Sequence, residues 1–258
     1  MTGWFLSLSP VAQAGVAAVG TWLLTALGAL PVLFLTRVPR RFMDSLMGFA
    51  AGVMVAASCW SLLVPALRLG GVWPAVTGLL VGAALIYLLD QWLPHLHPEF
   101  PDEARPEGPR VAWRRSALLL AAITLHNFPE GLAVGVSFGT GQPGPAAALA
   151  IGIGLQNLPE GLAVALPLRR DGMSRGKALW YGQLSAIVEP VAAVLGAVLV
   201  TRMGQLLPFA LALAAGAMLY VVVEELIPET ERSGNIDVAT IGFILGFAVM
   251  MVLDSALG

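Results

Sequence analysis

Two near-copies of one polar motif interrupt an apolar chain: His126-Asn127-Phe128-Pro129-Glu130-Gly131-Leu132-Ala133-Val134 and, 30 positions later, Gln156-Asn157-Leu158-Pro159-Glu160-Gly161-Leu162-Ala163-Val164. On a helix His126 and Glu130 stand at i and i+4, and Asn127 and Glu130 at i and i+3, so the three side chains converge on one face. Gln156, Asn157 and Glu160 repeat that geometry. Imidazole, carboxylate and amide oxygen without a thiolate form a donor set for a borderline divalent ion such as Zn²⁺, Fe²⁺ or Mn²⁺.

The setting makes these residues costly. An ionised carboxylate near a bilayer centre costs about 2.5–3.5 kcal/mol, so Glu130, Glu160 and Glu189 together cost on the order of 8–10 kcal/mol. Protonation, a pairing base or a bound cation must offset this, and no Lys or Arg lies near the centre of these stretches. Three ionised glutamates and one divalent ion leave one negative charge; two ions leave one positive charge. Interhelical hydrogen bonding accounts for a lone Asn or His, but it has no need of three carboxylates. Pro129, Pro159 and Pro190 withhold a donor from the carbonyls of Leu125, Leu155 and Ala186 and should bend the helices beside the ligands. Non-helical backbone at membrane depth persists only where it is buried in protein or lines a wet cavity. Gly131 and Gly161 allow close helix approach just past the ligands.

The elements that must position these groups follow from composition. The chain has 258 residues, 57% hydrophobic and 12% charged, with a mean hydropathy of +0.81. That is too apolar for one soluble core and implies a surface facing lipid. Eight stretches of spanning length are present, roughly 11–36, 43–67, 72–93, 116–139, 144–168, 177–201, 204–227 and 236–257. The expected fold is all-α, a polytopic bundle of eight transmembrane helices with kinked helices 4 and 5 at its centre, in one domain over 1–258. The segment 94–115, rich in proline and charge, reads as a loop between helices 3 and 4. Of the 14 basic residues, 12 follow the first, third, fifth or seventh stretch, leaving Arg68 and Arg202 in the other loops. The positive-inside rule then makes 94–115 cytoplasmic and puts both termini outside. Met1 to Pro10 has no basic residue before the apolar run, so the first span should stay attached. Cys59 is the one cysteine, which excludes an internal disulfide and a cysteine metal cluster, and reads as a small packed side chain.

In these residues and spans the chain resembles the ZIP (Zrt-, Irt-like) family of divalent metal transporters over its whole length. The likeness rests on His-Asn-x-Pro-Glu-Gly in span 4, its partner motif in span 5 and Glu-Pro in span 6; Gln156 is similar to the GufA-like bacterial branch. The resemblance implies a binuclear centre halfway across the membrane. His126, Glu130, Gln156 and Glu160 would form its primary site, with Met54 as a thioether neighbour. Asn127, Asn157, Glu189 and the shared glutamates would form the second. Asn157 departs from the aspartate of some relatives and removes one charge there. Asp90, His95, His97, Glu224 and Glu225 resemble exit ligands, and Asp254 a gathering group at the entrance; Glu99, Asp102, Glu103 and Glu107 read as a solvated acidic stretch.

The expected function is import of Zn²⁺, with Fe²⁺, Mn²⁺ and Cd²⁺ as further substrates, by an elevator-like carrier. Spans 1, 4, 5 and 6 would slide against 2, 3, 7 and 8. The resemblance implies a homodimer in a bacterial plasma membrane, with lipid and the transported metal as its partners and no nucleic acid or organic cofactor. No nucleotide-binding P-loop is present, so gradients would drive transport. A metal-selective channel is the first alternative. An intramembrane metallohydrolase is the second, although its usual His-Glu-x-x-His is absent.

Overall fold

In lipid every backbone amide and carbonyl must find its partner within the protein, and a helix does this locally. A computed structural model describes residues 3–92, 115–231 and 234–257. It is all-α, with no strand among the described residues. After a short turn at Gly3–Leu6 come α1 (Pro10–Leu33), α2 (Arg40–Gly70), α3 (Val72–Trp92), α4 (Arg115–Gly139), α5 (Pro143–Arg170), α6 (Arg175–Arg202), α7 (Gly204–Glu231) and α8 (Ile236–Leu257). Seven of these, all but α4, are long and apolar enough to cross a membrane on the described residues. Each stretch expected from hydropathy lies on one of these helices to within four residues at either end. His95 and His97, and all but the last residue of the 94–115 loop, lie outside the described residues.

The helices form two groups of four. Helix α1 packs along α5 and α6, and α4 along α6; α2 packs along α8, and α3 along α7. Glycine sets these pairings, because backbones meet where a side chain would intrude. A Cβ on Gly131 or Gly135 would collide with the Glu189 or Ala193 backbone, and one on Gly28 or Gly161 with the Leu158 or Thr25 backbone. Gly52 and Gly246 seat α2 against α8 in the same way. Helix α5 lies deepest among the seven, with 78% of its apolar window buried, whereas α3 and α8, at 22%, present most of theirs outward.

Proline accounts for several breaks in regular geometry. The helices continue through Pro129 and Pro159. By contrast, α6 tightens to a 3₁₀ turn at Ser185–Ile187 just ahead of Glu189-Pro190. Helices α2 and α7 each widen to a π segment, Ala57–Leu63 and Val222–Leu226. Pro65 and Pro228 follow these segments and cannot donate to the carbonyls of Ser61 and Glu224. Cys59 lies partly buried in the first π segment.

Candidate metal centre

The two motifs meet inside the group formed by α1, α4, α5 and α6. Asn127, Glu130, Gln156, Asn157, Glu160 and Glu189 are all buried. Glu160 is within electrostatic reach of Glu130, Glu189, His126 and Glu225, so it lies at the middle of the constellation. Glu130 adjoins Gln156. Neither oxygen of Glu130 and neither polar atom of the Gln156 amide has a hydrogen-bond partner, although both residues are fully buried. Buried polar atoms are almost always paired, and orphans gathered at one point mark where an ion or water sits.

Glu189 has a different environment. Thr21 Oγ1 from α1 donates to Glu189 Oε2, and Asn157 Nδ2 donates to Oε1 at 2.9 Å. Asn127 Nδ2 donates to the Ser185 carbonyl at 3.3 Å, tying α4 to the 3₁₀ turn of α6. Trp22 Nε1 donates to the Gln183 carbonyl and to its Oε1, both at 2.9 Å. Helix α1 is thereby fastened to α6 on either side of the turn that delivers Glu189.

His126 turns toward the other group. Its Nε2 pairs with Glu225 Oε1 on α7. An ionised carboxylate only accepts, so with Glu225 ionised it is Nε2 that carries the proton in this contact. Glu225 lies in turn with Asp90 and Glu224, their ligand atoms all within 4.8 Å of one another, and Tyr220 donates to Glu224 at 2.9 Å. Of the exit set inferred from the sequence, Asp90, Glu224 and Glu225 therefore come together, and Glu225 reaches the motif itself. Asp254 on α8 accepts from Ser61 of α2 at 2.8 Å. Met54 is fully buried in the core one turn before the π segment of α2.

Sequence reasoning missed Thr21, Ser61 and Tyr220. Threonine and serine are common in apolar helices, and nothing in the local pattern sets these three apart.

Comparison with known proteins identifies the family. Residues 110–254 match the model of the ZIP zinc transporter family. The chain is 42% identical to human "Zinc transporter ZIP11", with 97% of this chain and 98% of the relative covered. It is 40% identical to "Zinc transporter GufA" of Myxococcus xanthus (91% and 94% covered) and 42% identical to "Zinc transporter ZIPB" of Bordetella bronchiseptica (91% and 78% covered). This multi-pass membrane protein belongs to the ZIP family, a family of transporters rather than enzymes, and is similar to its bacterial GufA-type members.

Proposed function

We propose that this chain carries Zn²⁺ from outside into the cytoplasm as a homodimer of eight-span subunits, with Fe²⁺, Mn²⁺ and Cd²⁺ as further substrates. The observation that carries the reading is the orphaned pair of buried groups, Glu130 and Gln156. The cation is taken up there with Glu160, while His126 stands one helical turn away on α4 with its ring on Glu225. An ionised, unpartnered carboxylate at that depth is stable only when a cation or proton neutralises it.

Alternating access, with α1, α4, α5 and α6 moving as one body against α2, α3, α7 and α8, is supported by where the polar contacts lie. Thr21 with Glu189, Asn157 with Glu189, Asn127 with Ser185 and Trp22 with Gln183 all stay inside the first group. Arg40 with Asp44, Asn235 with Asp44 and Ser61 with Asp254 stay inside the second or the loop entering it. His126 to Glu225 crosses between them. A protonated Nε2 is not a metal ligand, so ion capture through that nitrogen and the crossing contact exclude each other. On leaving, the ion meets Glu225, then Asp90 and Glu224, on the cytoplasmic side of a topology with both termini outside the plasma membrane.

Zinc uptake into proteoliposomes tests the reading, with wild-type and Glu130→Ala protein reconstituted side by side. Saturable uptake that is lost with Glu130 is the expected result. Uptake that persists in Glu130→Ala would refute the site, and non-saturating flux would replace the carrier by a channel.

A further inference from the structure

Of the buried carboxylates, Glu189 has both of its oxygens hydrogen-bonded. Thr21 Oγ1 donates to Oε2 and Asn157 Nδ2 to Oε1. The second proton of the Asn157 amide goes to the Thr21 carbonyl at 3.2 Å. With both amide protons on acceptors, the amide orientation is determined; turned over, its oxygen would face a carboxylate and a carbonyl. Thr21 therefore grips the pair through two atoms, its hydroxyl on Glu189 and its carbonyl on Asn157.

Thr21 itself has little freedom. It is 2% exposed, and its hydroxyl also lies 2.9 Å from the Ala18 carbonyl one turn back. Its neighbour Trp22 is bonded to Gln183 of α6. One turn farther on, the Thr25 carbonyl abuts Gly161 of α5, and a Cβ on Gly161 would strike it. A rigid segment of α1 thus presents a hydroxyl and a carbonyl to the carboxylate of α6 and the amide of α5.

Glu130 and Glu189 are therefore unlike in readiness. Both oxygens of Glu130 are open to a cation. A cation at Glu189 has to share its oxygens with the Thr21 and Asn157 donors, which already hold one lone pair of each in a buried space, and a neutral amide returns it one oxygen and no charge. One divalent ion also balances the charges of Glu130 and Glu160 without Glu189.

We infer that Thr21 is a positioning residue that, with Asn157, withholds Glu189 from the ligand set, so that each chain loads one divalent ion rather than two. The inference rests on the transport reading above. It identifies a determinant of stoichiometry on α1, a helix that carries none of the motif residues.

Zinc bound per chain at saturation tests it, measured by elemental analysis of the purified full chain. Each protein is counted against the same protein carrying Glu130→Gln, so that ions held elsewhere cancel. The wild type and Thr21→Ser, which keeps the hydroxyl, should each differ from their Glu130→Gln partner by one ion, and Asn157→Asp by two. In the Asn157→Asp background, Thr21→Val should tighten the second ion by about tenfold, the effect of removing one competing hydrogen bond, and Thr21→Ser should leave it unchanged.

A difference of two ions in the wild type would overturn the inference even if every Thr21 variant failed to fold. So would one ion in Asn157→Asp, or a second ion indifferent to Thr21→Val. A wild type that differs from Glu130→Gln by no ion would instead refute the transport site itself, and the two failures are thereby told apart.

Discussion

Glu130→Gln should raise stability without metal and lose that advantage when zinc is bound. The substitution preserves shape and removes one charge from a fully buried side chain that has no partner on either oxygen and has Glu160 and Glu189 within electrostatic reach. An ionised carboxylate near the bilayer centre costs about 2.5–3.5 kcal/mol. The metal-free variant should therefore be more stable than the metal-free wild type by up to about 2–3 kcal/mol, roughly 5–10 °C in Tm. Zinc removes that advantage. At free zinc 100 times the wild-type Kd the wild type gains about 2.7 kcal/mol. Loss of a direct ligand should weaken binding at least as much as the roughly 100-fold upper range for outer-shell partners, which leaves the variant a gain of about 0.4 kcal/mol. Thermal unfolding in detergent, with chelator and then across a zinc titration, reads both effects. A variant that is less stable without metal and still shows the full zinc shift would make Glu130 a packing residue and refute the reasoning.

Other perturbations separate the site from its scaffold. His126→Ala should lower zinc uptake strongly at unchanged expression, and normal proteoliposome uptake would remove His126 from the site. Glu225→Ala removes the acceptor that holds Nε2; zinc affinity by calorimetry should tighten about tenfold while uptake falls, because a release ligand has gone. Asp44→Ala deprives Arg40 and Asn235 of partners that now lie at 2.8 Å each; denaturation should show a loss of about 1–3 kcal/mol with zinc affinity unchanged. Gly135→Val sets a side chain against the Ala193 backbone and should cost at least about 1–3 kcal/mol, seen as loss of the monodisperse peak on size exclusion.

Much of the architecture was legible because lipid leaves few choices. Hydropathy and length located every helix to within a few residues, since a spanning stretch must be apolar and must satisfy its own backbone. Pairing was less legible. The doubled motif brought α4 and α5 together, but the contact of α1 with α5 and α6 depends on Gly28, Gly161 and the hydrogen bonds of Thr21 and Trp22. Small residues occur throughout these helices, so their pattern does not say which pair of faces meets. The π segments were equally hidden: Pro65 and Pro228 announce a lost hydrogen bond, whereas Pro129 and Pro159 announce the same loss and leave the helix continuous.

At the site, local spacing was a sound guide to which residues share a face and a poor guide to what each one touches. The i, i+4 relation places His126 beside Glu130 in sequence geometry, yet a histidine side chain is long enough to choose between its own helix and a neighbour, and a carboxylate on α7 takes it. Only the tertiary packing of α4 against α7 puts Glu225 within reach. The same holds for the three glutamates, which composition treats as equals. Glu130 meets an equally unpartnered Gln156, while Glu189 meets a threonine and an asparagine presented by two other helices. The difference between a carboxylate open to a cation and one already hydrogen-bonded is thus decided by Thr21, which stands 109 positions before Glu130 in the chain. Pattern reading finds the groups that cost energy to bury; which of them still lack a partner is a property of the assembled bundle.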